Sequence, residues 1–206
     1  MLWFIPGVIW IGFTLWYTDF GGPLSDDEIA EAVSYLESRE MEPRRIQAFR
    51  TFFENDTGRQ FLMVNNIDIN DLPPRMEGFG PDAKAEDYMD HYMEHMYPEL
   101  LARASHPIFY ATGLGLNIDV LGIEGADGWD TAALLRYRSR RTFVEIITNP
   151  ALGPRHEFKL AAMTKTIAYP VETVLYLSDP RFLIFLIFGF LVAISDSLIF
   201  GRRRHT

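Results

Sequence analysis

Residues 129–150 read WDTAALLRYRSRRTFVEIITNP, and a change of period inside this stretch decides the fold class. Alternate residues Trp129, Thr131, Ala133, Leu135 and Tyr137 form an apolar-to-aromatic face, while Asp130, Ala132, Leu134, Arg136 and Arg138 form the other. A period of two is the mark of a strand. Residues 139–148 then read as a helix, stopped by Asn149-Pro150. A strand running straight into a helix is one half of a βαβ-type unit, so partners are to be sought on both sides.

Upstream, residues 106–112 read as a strand and 117–123 as a shorter one, with Gly113-Leu114-Gly115 as a turn. A long helix is expected over 83–104, its apolar stripe being Ala85, Tyr88, Met89, Tyr92, Met96 and Leu100. Residues 59–67 form the first strand. Downstream come a short helix over 155–162 and a last strand over 163–171. The order strand, helix, strand, short hairpin, strand, helix, strand is the split βαβ, ferredoxin-like plan: an α+β protein with an antiparallel sheet and helices on one face. A second copy is the simplest cover for the other face, which predicts a homodimer through the sheet. Two helices precede this domain. Ser25-Asp26-Asp27-Glu28 is a capping box for the first, with Ile29, Ala32, Val33 and Leu36 inward, and the second runs from Pro43 to about Asn55.

Both ends of the chain are apolar. Residues 2–18 carry no charge, and 182–200 carry one, Asp196. Each approaches the ~20 residues a helix needs to cross a bilayer. The expected organisation is a transmembrane helix over 1–20, a helical pair and linker over 21–58, the ferredoxin-like domain over 59–172, a linker over 173–181, a second transmembrane helix over 182–201 and a basic tail over 202–206. Trp3 at one end of the first span, with Trp16 and Tyr17 at the other, fits an aromatic belt. Arg202, Arg203 and Arg204 mark the cytoplasmic side. The expectation is a two-pass protein of a bacterial inner membrane, its termini cytoplasmic and its domain periplasmic. Asp196 lies seven residues before Arg203, so an interfacial ion pair is expected there.

Composition removes whole classes of function. Acidic residues outnumber basic ones, 28 to 19, and there is no basic face, so nucleic acid is not a partner. With no cysteine, disulfides, thiol catalysis, iron–sulfur ligation and cysteine-ligated zinc are excluded. No nucleophile elbow, P-loop, dinucleotide fingerprint or zincin motif occurs.

The stretch YMEHMYPEL at 92–100, His106-Pro107, and LRYRSRR at 135–141 followed by Asn149-Pro150 resemble domain-of-unknown-function members of the dimeric α/β-barrel superfamily. The resemblance covers about residues 60–172. It implies a ferredoxin-like dimer. Relatives in that superfamily include cofactor-free monooxygenases, lactone isomerases and haem-dependent enzymes, so architecture is implied more strongly than any reaction.

Several residues offer chemistry. His91 and His95 are four apart on the long helix and share one side of it, a spacing suited to a metal, with Asp87 or Glu94 as oxygen ligands. His95 or His156 would be the ligand of a haem held in an apolar pocket. For cofactor-free acid–base work the base would be His95 or His106, with Tyr110, Asn65 or Arg136 as oxyanion donors. The plainer alternative is that Asn65 finishes a strand and that Arg136 and Arg138 pair on the surface with acids such as Glu145 or Glu124. No cofactor is favoured. The functional expectation is a membrane-anchored domain that binds a small ligand or serves as an accessory subunit beside membrane-protein partners. The alternative is an enzyme, cofactor-free or haem- or metal-dependent, an oxygenase or isomerase acting on a small apolar molecule.

Overall fold

The strand-into-helix stretch forms as its pattern requires: β3 (Thr131–Tyr137) feeds α5 (Arg140–Ile147) through Ser139, whose hydroxyl accepts the Thr142 amide at 3.1 Å. The computed structural model describes residues 2–126 and 128–200. These form two compact units, one of the chain ends up to Asp19 and from Thr173, the other Phe20–Glu172.

In the central unit, α2 (Asp26–Ser38) and α3 (Pro43–Glu54) come first. They are followed by β1 (Phe61–Ile69), α4 (Ala85–Ala102), β2 (His106–Thr112), β3, α5, α6 (His156–Ala161) and β4 (Met163–Val171). A 3₁₀ turn, Gly153–Arg155, leads into α6. The sheet order is β2-β3-β1-β4 with every neighbour antiparallel, the order of a ferredoxin-like sheet. Side-chain alternation gives the sheet two faces. One carries Phe61, Met63, Asn65, Ile67, Ala133, Leu135 and Tyr137 toward the helices. The other carries Leu62, Val64, Leu134, Tyr169 and Ile167.

The core sits on the helix side. Phe61 stacks on Tyr137 at 5.1 Å, and Phe143 meets Tyr137 edge-on at 5.0 Å. The inward residues Ile29, Ala32, Val33 and Leu36 of α2 and Phe53 of α3 close the same cluster. The capping box at Ser25 is formed, and its Glu28 carboxylate also takes Arg141 of α5 at 2.6 Å. Arg141 further donates to the Gly22 and Pro23 carbonyls, pinning the entry of α2 to α5.

Two expectations are corrected here. No strand forms over 117–123. Gly115, Gly122, Gly125 and Gly128 all take left-handed φ, so the chain turns too often for a ladder to run. The loop leaves Ile118 96% exposed. Its entry is tight: Gly113 donates to the Asp130 carbonyl at 2.7 Å, and a Cβ there would lie 1.7 Å from the Trp129 oxygen. Nor do Arg136 and Glu145 pair on the surface. Arg136 is fully buried, donating to Gln60 at 2.9 Å and to the Ala104 carbonyl, while Glu145 takes Arg103 at 3.1 Å.

In the terminal unit, α1 (Phe4–Tyr17) runs antiparallel to the start of α7 (Pro180–Phe200). The Trp10 indole donates to the Arg181 carbonyl at 2.8 Å, and Trp10 meets Phe185 at 5.6 Å. Arg181 bonds Asp179 and Thr18, and its guanidinium lies 5.3 Å from the Tyr17 ring centre. The expectation of two spans is corrected. At 14 residues α1 is about 21 Å long, short of ~30 Å of hydrocarbon. Among the described residues α7 alone is long and apolar enough to cross a membrane, and its apolar side chains are mostly exposed. Trp3 and Trp16 are exposed, whereas Tyr17 is buried beneath Arg181 rather than at a surface. Asp196 is exposed on α7. Arg202, Arg203 and Arg204 lie outside the described residues, and the expected pair with Asp196 lies there too.

Candidate functional site

Between the sheet and its helices lies a cavity of about 760 Å³. Its floor is two rows across the strands set by register. One row is Tyr110, Ala133, Asn65 and Ala168; the next is Pro107, Leu135, Met63 and Pro170. Ala133 is a small residue at the centre of this floor, and a bulkier one there would take up part of the space. Met89, Tyr92, Met93 and Met96 of α4 form one wall, because 3.6-residue periodicity turns them together toward the sheet. Phe49 and Phe52 of α3 and Ile146 of α5 complete the apolar lining.

The basic groups gather at one end, around Tyr92. Tyr92 of α4 is buried, and burial pushes its phenol up to about 12. Tyr137 is pushed higher still by burial, with Tyr92 nearby adding to it. His156 lies 6.3 Å from the Tyr92 ring and Lys159 Nζ 5.9 Å from it. Partial desolvation, then the charges of Lys159 and Arg45, lower the His156 pKa. Desolvation and then Arg45 lower that of Lys159. Both phenols therefore stay protonated at neutral pH and can donate a hydrogen bond, while the end as a whole is cationic.

The sequence-derived candidates do not all meet here. Tyr110 and Asn65 flank Ala133 on the floor, and His156 lines the wall. Of the described histidines, His156 alone does so. Arg136 and His106 are register partners on the opposite face of the sheet, with His106 Nδ1 2.9 Å from the Pro107 carbonyl oxygen. His95 does not line the cavity. It does meet His91 and Glu94, and ligand atoms of the three lie within 4.8 Å of one another. His95 Nδ1 is 3.3 Å from the His91 carbonyl oxygen, a contact that leaves Nε2 free. The His91 ring packs against Phe158 at 4.6 Å and Phe79 at 5.4 Å.

Lys159, Arg45 and Arg39 were missed from sequence, although the His156–Lys159 spacing of three on a short helix was an available signal. The Met- and Tyr-rich face of α4 was already a candidate pocket wall in the sequence.

The residues that carry the family resemblance hold the fold. Ser139 caps α5, Tyr137 and Phe143 build the aromatic cluster, and Arg136 ties β3 to the end of α4. Arg140 pairs with Glu172 at 3.0 Å and lies 4.6 Å from the Phe52 ring centre. Asn149 donates to Glu99 at 3.1 Å.

Comparison with solved structures finds the same architecture in a Rhodopseudomonas palustris protein of unknown function. It is 17% identical with a TM-score of 0.52, over 63% of this chain and 94% of that one. The fold is shared. A hydroxynitrile lyase from Passiflora edulis aligns at 11% identity and TM-score 0.39, over 57% of this chain and 97% of its own. A cofactor-independent oxygenase from Streptomyces nogalater aligns at 10% and 0.35, over 58% and 98%. No protein-family model and no curated protein matches the chain. The central unit is an α+β domain, a four-stranded antiparallel sheet with helices packed on it, and that fold by itself selects no reaction.

Proposed function

We propose that the central unit is a membrane-tethered receptor for a small, largely apolar molecule held between sheet and helices. The observation that carries this is the cavity: its volume falls within the ~300–1,000 Å³ of small-molecule sites, and a few polar groups converge on apolar walls. A filled interior would instead favour a purely structural, accessory role. The enzyme reading is weaker, because its bases and oxyanion donors divide between the two faces of the sheet.

The tether is α7. A single span followed by the basic tail puts the tail in the cytoplasm and the domain outside, so the positive-inside orientation of the domain does not depend on a second span. The outer sheet face, with exposed Phe109, Ile167 and Tyr169 around Leu134, is the surface for a homodimer.

The test uses the full chain in lipid nanodiscs with labelled methionine methyl groups, since Met63, Met89, Met93 and Met96 all line the cavity. Titration with neutral 2-naphthamide is expected to move these signals saturably, and Ala133→Phe to weaken that binding at least ten-fold. Binding that ignores Ala133→Phe, or methyl signals that never saturate, would overturn the receptor reading.

A further inference from the structure

We infer that the ligand of this cavity is an amphipathic anion, an apolar body carrying one carboxylate head, with the head seated at the α3–α6 end against Lys159 and Arg45. The inference rests on the receptor reading and adds the chemical class of what is received.

Four basic groups collect at this end from three separate segments. Lys159 and His156 are three apart on α6, one turn, and both lie against the Tyr92 ring. Arg45 enters from the first turns of α3. Arg39, just past α2, sets its guanidinium against Gly153, where a Cβ would come within 2.9 Å of Nη2. All of them line the cavity. Several other cations of the central unit that lie against the fold do pair with acids: Arg103 with Glu99 and Glu145, Arg140 with Glu172 and Asp56, Arg141 with Glu28. Among the described residues no carboxylate pairs with Arg39, Arg45 or Lys159. Glu157 also lines this end and forms no ion pair.

A chain as acidic as this one does not leave such a group unanswered for want of carboxylates. Lys159 is half-buried, and desolvation, then the nearby Arg45 charge, lower its pKa. A ligand carboxylate supplies a counter-charge, and the buried Tyr92 and Tyr137 hydroxyls are donors beside it. Because Arg39 and Arg45 are exposed, the head keeps water on one side and avoids the penalty of full desolvation. Its body then faces Met63, Met96 and Leu135.

The experiment compares 2-naphthoate with its neutral isostere 2-naphthamide on the same labelled chain in nanodiscs. Naphthoate is expected to bind at least ten-fold more tightly, and Lys159→Met to bring the two within about two-fold of one another. Arg45→Gln, at an exposed position, is expected to reduce the preference several-fold, and keeps the test valid should Lys159→Met fail to fold. Equal binding of both probes to the unaltered chain would overturn the anion assignment and leave the receptor reading standing. So would a naphthoate preference unchanged by both substitutions. Failure of both probes to move the methyl signals would sink the two readings together.

Discussion

At the residue scale, two charged side chains show opposite uses of a charge. Arg136 is buried beneath the sheet, where its guanidinium satisfies Gln60 and the otherwise orphaned Ala104 carbonyl at the end of α4. Arg136→Met is expected to destabilise the central unit by about 2–4 kcal/mol, read from the urea midpoint, because buried acceptors lose their donor. Glu28 is different: half-exposed, it caps α2 and binds Arg141. The Arg141 hydrogen bond first, then the Ser25 amide, bring its pKa from 4.5 down to about 2. A depressed carboxylate stabilises the fold fully above the unfolded-state value and loses that contribution as pH falls through the folded one. Stability should therefore decline between about pH 4.5 and 2. Glu28→Gln should flatten that segment in acid titrations followed by circular dichroism, and lower neutral-pH stability by about 1 kcal/mol, since solvent screens the pair.

At the element scale, the β2–β3 connection separates pattern from structure. Residues 117–123 read as a strand, yet they form an exposed loop, because a strand also needs a partner and glycines at 115 and 122 bend the chain away from one. What holds the connection is Gly113. Gly113→Ala would drive a methyl into the Trp129 carbonyl, a backbone atom that moves only if the strands part. The expected loss is about 1–3 kcal/mol, with faster amide exchange confined to the β2–β3 ends. The long helix α4 shows the reverse case. Its stripe of Ala85, Tyr88, Met89, Tyr92, Met96 and Leu100 was legible as an inward face. A pocket wall and plain core were both open readings of it; which residues do which, Met89, Tyr92 and Met96 beside the cavity and Ala85, Tyr88 and Leu100 in core, depends on what stands across from each.

At the scale of the whole molecule, α7 is the proposed membrane tether. Its outward-facing phenylalanines, leucines and isoleucines have no protein cover, so the chain is expected to remain with the membrane fraction through an alkaline carbonate wash and to need detergent for extraction. A reporter fluorescent only in the cytoplasm, fused after Thr206, is expected to light up, and a dark fusion would reverse the orientation. The short α1 leans on the first half of α7 through Trp10, Phe185 and Arg181. Apolar composition made α1 look like a span, and helix length decided otherwise.

Local pattern alone determined the order of the elements that form, though it added a strand over 117–123 that does not, together with the antiparallel ferredoxin-like plan, the capping box at Ser25 and the two strands, 106–112 and 163–171, whose limits match those observed. Each of these depends on periodicity and on neighbours a few residues away, which a sequence displays directly. Tertiary structure alone decided that Arg136 is interior, that Ala133 and the α4 methionines line one cavity, and that Arg39, Arg45, His156 and Lys159 meet at one end of it. Those facts come from residues up to 120 positions apart being brought together by strand register and helix packing. Register depends on the whole sheet at once, and no window of the chain contains it.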